Sequence, residues 1–143
     1  MLFHSTRGND SGKDFATILM QGLADDGGLF MPDHWPQVDL EEIKSQTSFV
    51  DVAKCIVPLF TASSFSHAET IKIVEDTWHD FEHADLVGIQ TFDDVSILEL
   101  FHGPTAAFKD FGLQLAAAFF NEVLESENKT AIVLGATSGD TGS

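Results

Sequence analysis

Ala131-Ile-Val-Leu-Gly135, continued by Ala136-Thr-Ser-Gly-Asp-Thr-Gly-Ser143, decides the fold of this chain of 143 residues. The run Ala131 to Gly135 is apolar, preceded by a polar turn and closed by glycine, which suits a buried strand. Thr137 to Ser143 is a glycine-rich loop that ought to open one more helix. Strand, loop and helix start are the first half of a βαβ unit, and parallel strands need that crossover finished. The expected class is therefore α/β and helix-rich, with a core begun and left incomplete at Ser143. The chain is accordingly expected to be a fragment, or the product of an unusually short gene.

The same loop offers backbone N–H groups and the hydroxyls of Thr137, Ser138 and Thr141. That arrangement suits an anion, phosphate or carboxylate. It is not a nucleotide P-loop, because the Gly-Lys-Ser/Thr ending is missing. Asp140 also argues against cradling a phosphate directly. A carboxylate neutralised elsewhere, or a hydrogen bond to a protonated ring group, fits better; a structural turn and helix cap fits equally well.

Upstream, Pro104 suits the first position of the longest helix, running to about Glu125. Phe111 to Phe120 holds only Gln114 as a clearly polar side chain, so burial inside a larger domain is expected. Lys109 stands in the first turn, where the positive end of the helix dipole places a cation poorly. A neutral lysine amine is what Schiff-base chemistry requires. The competing reading is a lysine that snorkels to the surface beside Asp110.

Further out, Leu86 to Thr91 and Ser96 to Phe101 read as strands joined across Asp93-Asp94. Helices are expected over Lys13 to Leu23 with Ser11 as cap, Leu40 to Lys44, Phe49 to Phe60, and Ser66 to Phe81 with Glu69 completing a capping box. The first eight residues and Leu29 to Pro32 read as extended. The expected division is a helical region over 1–85 and the start of a core over 86–143.

Charge narrows the function classes. Twenty-three acidic residues face seven basic ones, for a net charge of −16. Nucleic acid is an unsuitable partner, because phosphate neutralisation needs clustered cations. No apolar run is long enough to span a bilayer, and no signal peptide is evident. Cys55 is the single cysteine, so a disulfide framework is excluded and a cytoplasmic location is the plain reading.

Leu98-Glu-Leu-Phe-His-Gly-Pro-Thr-Ala-Ala-Phe-Lys-Asp-Phe111 and Gly135-Ala-Thr-Ser-Gly-Asp-Thr-Gly-Ser143 resemble the paired signatures of the threonine synthases. Ser5-Thr-Arg-Gly8 and Gly22-Leu-Ala-Asp-Asp-Gly-Gly-Leu-Phe-Met-Pro32 resemble the opening of the same family. Those enzymes use pyridoxal 5′-phosphate (PLP) on the tryptophan synthase β-subunit fold (fold type II). The resemblance implies an N-terminal helical region followed by the incomplete start of that core. It implies Lys109 as the catalytic lysine that forms a Schiff base with PLP. It also implies that Ser138, Asp140 and Thr141 face the cofactor and the substrate's amino-acid end. The implied reaction converts O-phospho-L-homoserine and water to L-threonine and phosphate, with the remainder of the enzyme chain as partner. The cofactor-phosphate loop and most of the substrate pocket would lie beyond Ser143, so this chain alone is expected to show no turnover. Ala106, where a larger aliphatic residue is expected, and Phe3, where tyrosine is frequent, depart from the family pattern.

Other constellations weigh less. His79-Asp-Phe-Glu-His83 matches one zinc-peptidase pattern, but without a third ligand an acidic surface helix is the expectation and no metal site is assigned. Cys55 reads as core, Trp35 and Trp78 as packing residues, and Arg7 as a surface or ion-pairing residue that could also reach an anion. Two alternatives to threonine synthesis stay open at this point. One is a related lyase that only eliminates phosphate; the other is a non-catalytic helical module retaining the motif.

Overall fold

A computed structural model of the chain describes residues 1–142. It consists of two compact units, Met1–Glu75 and Asp76–Ser143. The first holds three short strands and four helices, and the second a hairpin and one long helix.

In the first unit β1 (Phe3–Ser5) lies between β2 (Ser11–Lys13) and β3 (Phe30–Pro32), antiparallel to both. Phe3 and Ser5 are buried and His4 is exposed, the two-residue alternation of a half-buried strand. Ser11 was expected to cap the first helix. Instead it pairs in β2, and Asp14 caps α1 (Phe15–Gln21), its carboxylate accepting from the Thr17 N–H at 2.8 Å. Strand pairing draws residues 11–13 out of helical geometry, leaving the acidic residue next to the apolar face as the first available cap. Ser63 and Ser64 then accept from the N–H groups of Phe15 and Ala16 at 3.0 and 2.8 Å. Three of the free donors at this helix start are thereby satisfied by side chains.

A polar knot ties the opening block to the Asp-Asp-Gly-Gly turn. The buried Ser5 hydroxyl donates to Asp26 Oδ1 at 2.6 Å, and the Gly28 and Asn9 N–H groups donate to the same carboxylate. Arg7 Nη1 donates to the Asp26 carbonyl oxygen at 2.8 Å, so its guanidinium is engaged in this knot. The Ser5 bond, ahead of the two N–H donors and the Arg7 charge, holds the Asp26 carboxyl below the usual aspartate range.

The helix α2 (Leu40–Lys44) occupies the expected residues. Next, α3 (Phe49–Thr61) is capped by Ser48 and carries Pro58 inside it, continuing past the proline to Thr61. It packs on α4 (His67–Glu75), whose capping box forms as expected: Ser66 N–H donates to Glu69 and Glu69 N–H to Ser66 Oγ, at 2.8 and 3.3 Å. Phe3, Phe15 and Phe65 form a chain of tilted and edge-on rings at 6.4 and 6.1 Å. Between α3 and α4, Thr61 and Thr70 share a hydrogen bond of 2.9 Å while wholly enclosed. Cys55 is half-buried rather than fully in the core, and Trp35, packed edge-on to Phe60, is largely exposed.

In the second unit the expected continuation of helix to Phe81 does not occur. Trp78 adopts φ 64°, outside the helical region, and buries its ring while its Nε1 donates to the Phe111 carbonyl at 3.0 Å. A tertiary contact thus overrides local helix propensity. His79 and His83 consequently lie in turns, not on one helix face, and His83 stacks instead against His102 at 4.8 Å. The hairpin β4 (Gly88–Phe92) and β5 (Val95–Glu99) turns at Asp93-Asp94 as expected.

The long helix α5 (Lys109–Ser126) begins five residues after Pro104, and its buried positions are Asp110, Phe119 and Val123. Leu113 is exposed, so the helix expected to be enclosed on all sides buries one face among the described residues. Ala131 to Gly135 does not form a strand. Ile132, Val133 and Leu134 are 96%, 87% and 96% exposed, and β4 and β5 pair only with each other. An apolar run becomes a strand only where a neighbour completes its hydrogen bonds. The described part of the glycine-rich loop is a turn, closed by Gly142 N–H donating to Gly139 O at 2.8 Å; the helix that the loop was expected to open would lie outside the described residues.

Candidate active site

Lys109 is the first residue of α5, and its side chain reaches across to the glycine-rich loop. Nζ donates to Thr141 Oγ1 at 2.9 Å and stands 6.0 Å from the Phe108 ring centre. Two segments separated by 32 positions in the chain therefore meet at one amine. The contact is open to solvent, so a carbonyl compound has access to the nitrogen.

Asp110, the expected counter-charge of a snorkelling Lys109, faces the other way. It is buried, and its two carboxylate oxygens accept from Thr105, Oδ2 from the N–H at 3.0 Å and Oδ1 from the hydroxyl at 2.6 Å. Among the described residues no ion pair joins it to Lys109. The Lys109 amine donates instead to a neutral hydroxyl, a better setting for a reacting amine than a carboxylate pair.

The rest of the site follows from the turn before α5. Gly103 O accepts from Ala106 N–H at 3.0 Å, and Ala107 O from Asp110 N–H at 3.1 Å. A side chain at Gly103 would overlap the Asp110 carboxylate, so only glycine fits there. Trp78 braces the first turn of α5 through the Phe111 carbonyl, and Phe81 packs edge-on to the Phe111 ring at 4.8 Å. Upstream, His102 Nε2 pairs with Glu99 at 2.9 Å.

Of the four residues singled out in the sequence, Lys109 and Thr141 are in direct contact. Ser138 and Asp140 lie in the same exposed turn as Thr141. Thr105 and the orientation of Asp110 were not legible, because a bond from one residue back to the fifth before it belongs to no regular periodicity. PLP needs a primary amine reachable from solvent and nearby neutral donors, and Lys109 with the loop hydroxyls meets both requirements.

The chain is similar to known proteins over nearly all of its length. A family model described as threonine synthase N terminus matches residues 2–78. The threonine synthase of Pseudomonas aeruginosa is 40% identical over 146 residues, which cover all of this chain and 31% of that protein. Threonine synthase-like 2 of Xenopus laevis is 37% identical, again over all of this chain and 31% of its own length. The crystal structure of PLP-bound threonine synthase from Brucella melitensis superposes with a TM-score of 0.91 at 39% identity, covering 99% of this chain and 31% of that one. The chain thus spans somewhat less than a third of the proteins it matches, and its α/β, helix-rich architecture is that of their corresponding region. With the amine and hydroxyl loop in contact and the opening region matched across more than half its length, this chain belongs to the threonine synthase family.

Proposed function

We propose that this chain supplies the Schiff-base lysine and the adjoining hydroxyl loop of a PLP-dependent threonine synthase. The enzyme would convert O-phospho-L-homoserine and water to L-threonine and phosphate. The observation that carries this reading is the 2.9 Å contact between Lys109 Nζ and Thr141 Oγ1. It brings the two signature segments together at a reactive nitrogen. Bound PLP would supply an electron sink that stabilises carbanions of the substrate. Lys109 holds the cofactor through its amine and, when free, carries protons to and from the substrate as general acid and base. Thr141 keeps that amine oriented, and Ser138 and Asp140 face the cofactor and the amino-acid end of the substrate.

The core that binds PLP begins at residues 86–143, and the remainder of the enzyme chain is its partner. Neither nucleic acid nor membrane is a partner on this reading. The acidic charge supports the first point, and no helix among the described residues is long and apolar enough to cross a membrane. A cytoplasmic site of action goes with the single, unpaired cysteine.

Borohydride reduction of the complete enzyme with PLP, followed by peptide mapping, tests the assignment. The expected adduct lies on Lys109 and disappears in Lys109→Ala. An adduct on a different lysine, or one that survives the substitution, sinks it. A second reading is a related lyase that eliminates phosphate and stops there. Product analysis separates the two: threonine on the first reading, a 2-oxo acid with ammonia on the second.

A further inference from the structure

Asp110 carries a carboxyl group into the interior of its unit at 5% exposure, and nothing in the reaction described above uses it. Buried carboxylates require compensation, and here Thr105 supplies two hydrogen bonds. Both carboxylate oxygens are committed, one to a backbone N–H and one to a hydroxyl at 2.6 Å, a length typical of a charge-assisted O–H···O bond.

The turn so held is a strained one. Ala106 takes φ 56°, the left-handed region that non-glycine residues avoid. Such a conformation persists only where its surroundings over-determine it. The helix that follows has no conventional cap either. Phe108, at the capping position, has helical angles (φ −57°, ψ −20°) and no side-chain bond to the helix start. The carboxylate of Asp110 instead reaches backward from inside the first turn and fastens the approaching strand of chain. Lys109 lies between the left-handed Ala106 and the gripping Asp110, so any slack in the turn moves its backbone.

We propose that Asp110 is a positioning residue for Lys109: by gripping Thr105 at two points it holds Ala106 left-handed, fixes where α5 begins, and aims the lysine amine at Thr141. This role rests on the assignment of Lys109 as the PLP lysine. It acts through Thr105 and the turn; Asp110 itself touches neither Lys109 Nζ nor the loop.

The test is the rate at which PLP is captured by the complete enzyme after the cofactor has been removed. Capture is quenched at timed points with borohydride and quantified at each lysine by peptide mapping. Thr105→Val keeps the side-chain volume and removes one grip; Thr105→Ser keeps the hydroxyl; Asp110→Asn removes the charge. Thr105→Val and Asp110→Asn are expected to capture PLP at Lys109 about tenfold or more slowly, and Thr105→Ser to stay within about threefold of the unsubstituted enzyme. Faster amide exchange at Thr105 in Asp110→Asn accompanies this. Should Asp110→Asn fail to fold, the Thr105 pair still decides. Capture by Thr105→Val at the unsubstituted rate overturns the role, as does Thr105→Ser being as slow as Thr105→Val. An adduct on another lysine in the unsubstituted enzyme overturns the assignment of Lys109 and this role with it, an outcome visible before any variant is compared.

Discussion

Lys109 Nζ donates to Thr141 Oγ1 at 2.9 Å, joining the first residue of α5 to a turn 32 positions later. The partner is a hydroxyl, which orients the amine without pairing its charge. In the complete enzyme, Lys109→Ala should lower kcat by about a thousandfold, within the range general acid–base groups supply. Thr141→Val should keep the PLP adduct and lower kcat by roughly tenfold, with Thr141→Ser recovering most of the loss. Steady-state kinetics on the three variants checks the order. Equal damage from Thr141→Ser and Thr141→Val would remove the hydroxyl from the account.

Lys109 stood out in the sequence because an amine heading an apolar helix is conspicuous and its flanking residues resemble a known signature. The geometry that presents it was not. Asp110 was read as a surface counter-charge, and only a left-handed Ala106 lets it curl back to Thr105. No propensity scale announces that conformation at alanine. Helix locations were legible from periodicity, with α2 matching at both ends and α3 within one residue. Two of the ends misplaced by more involve partners far along the chain, Ser63 and Ser64 at the start of α1 and Phe111 for Trp78, whereas the late start of α5 goes with the local Thr105–Asp110 turn. Two failures concern strands. The segment Ser11–Lys13 has no hydrophobic alternation to reveal it, and Ala131 to Gly135 has the composition of a buried strand but no neighbour to pair with.

Acid should weaken the first unit. Asp26 is held below the ordinary aspartate range chiefly by the Ser5 hydroxyl, and Asp14 by the Thr17 N–H at its helix cap. A carboxyl with a lowered folded-state pKa stabilises the fold above its unfolded value, and that contribution is lost as pH falls through the folded one. The loss should therefore begin near pH 4 and deepen below it. Thermal melts from pH 7 to pH 2 should show this slope, and Asp26→Asn should flatten it. A slope unchanged by Asp26→Asn would exclude the knot as its source.

Ser66 offers a smaller, local test. Its hydroxyl accepts from the Glu69 N–H, and the Glu69 side chain returns to the Ser66 N–H. Ser66→Ala should cost about 1 kcal/mol, the usual loss for a helix cap. Ser66→Asp should retain most of the stability, because a carboxylate serves as acceptor and suits the positive helix end. Urea denaturation measures both; a neutral Ser66→Ala would mean the box forms without contributing.

Thr61 and Thr70 sit at 1% and 0% exposure with their hydroxyls 2.9 Å apart, and Thr61 Oγ1 also reaches the Val57 carbonyl at 3.4 Å. A hydrogen bond between two neutral groups adds little net stability, but stripping one partner leaves the other buried with an unmet group. Thr61→Val should therefore cost about 1–3 kcal/mol, although it preserves shape and adds apolar surface. Thr70→Val should cost less, because Thr61 keeps the Val57 carbonyl. Replacing both with valine removes both hydroxyls at once and should cost less than the sum of the single changes. A double-mutant cycle by urea denaturation measures the difference. Strictly additive costs would show that the two hydroxyls are not coupled, and that α3 and α4 are joined at this point by packing alone.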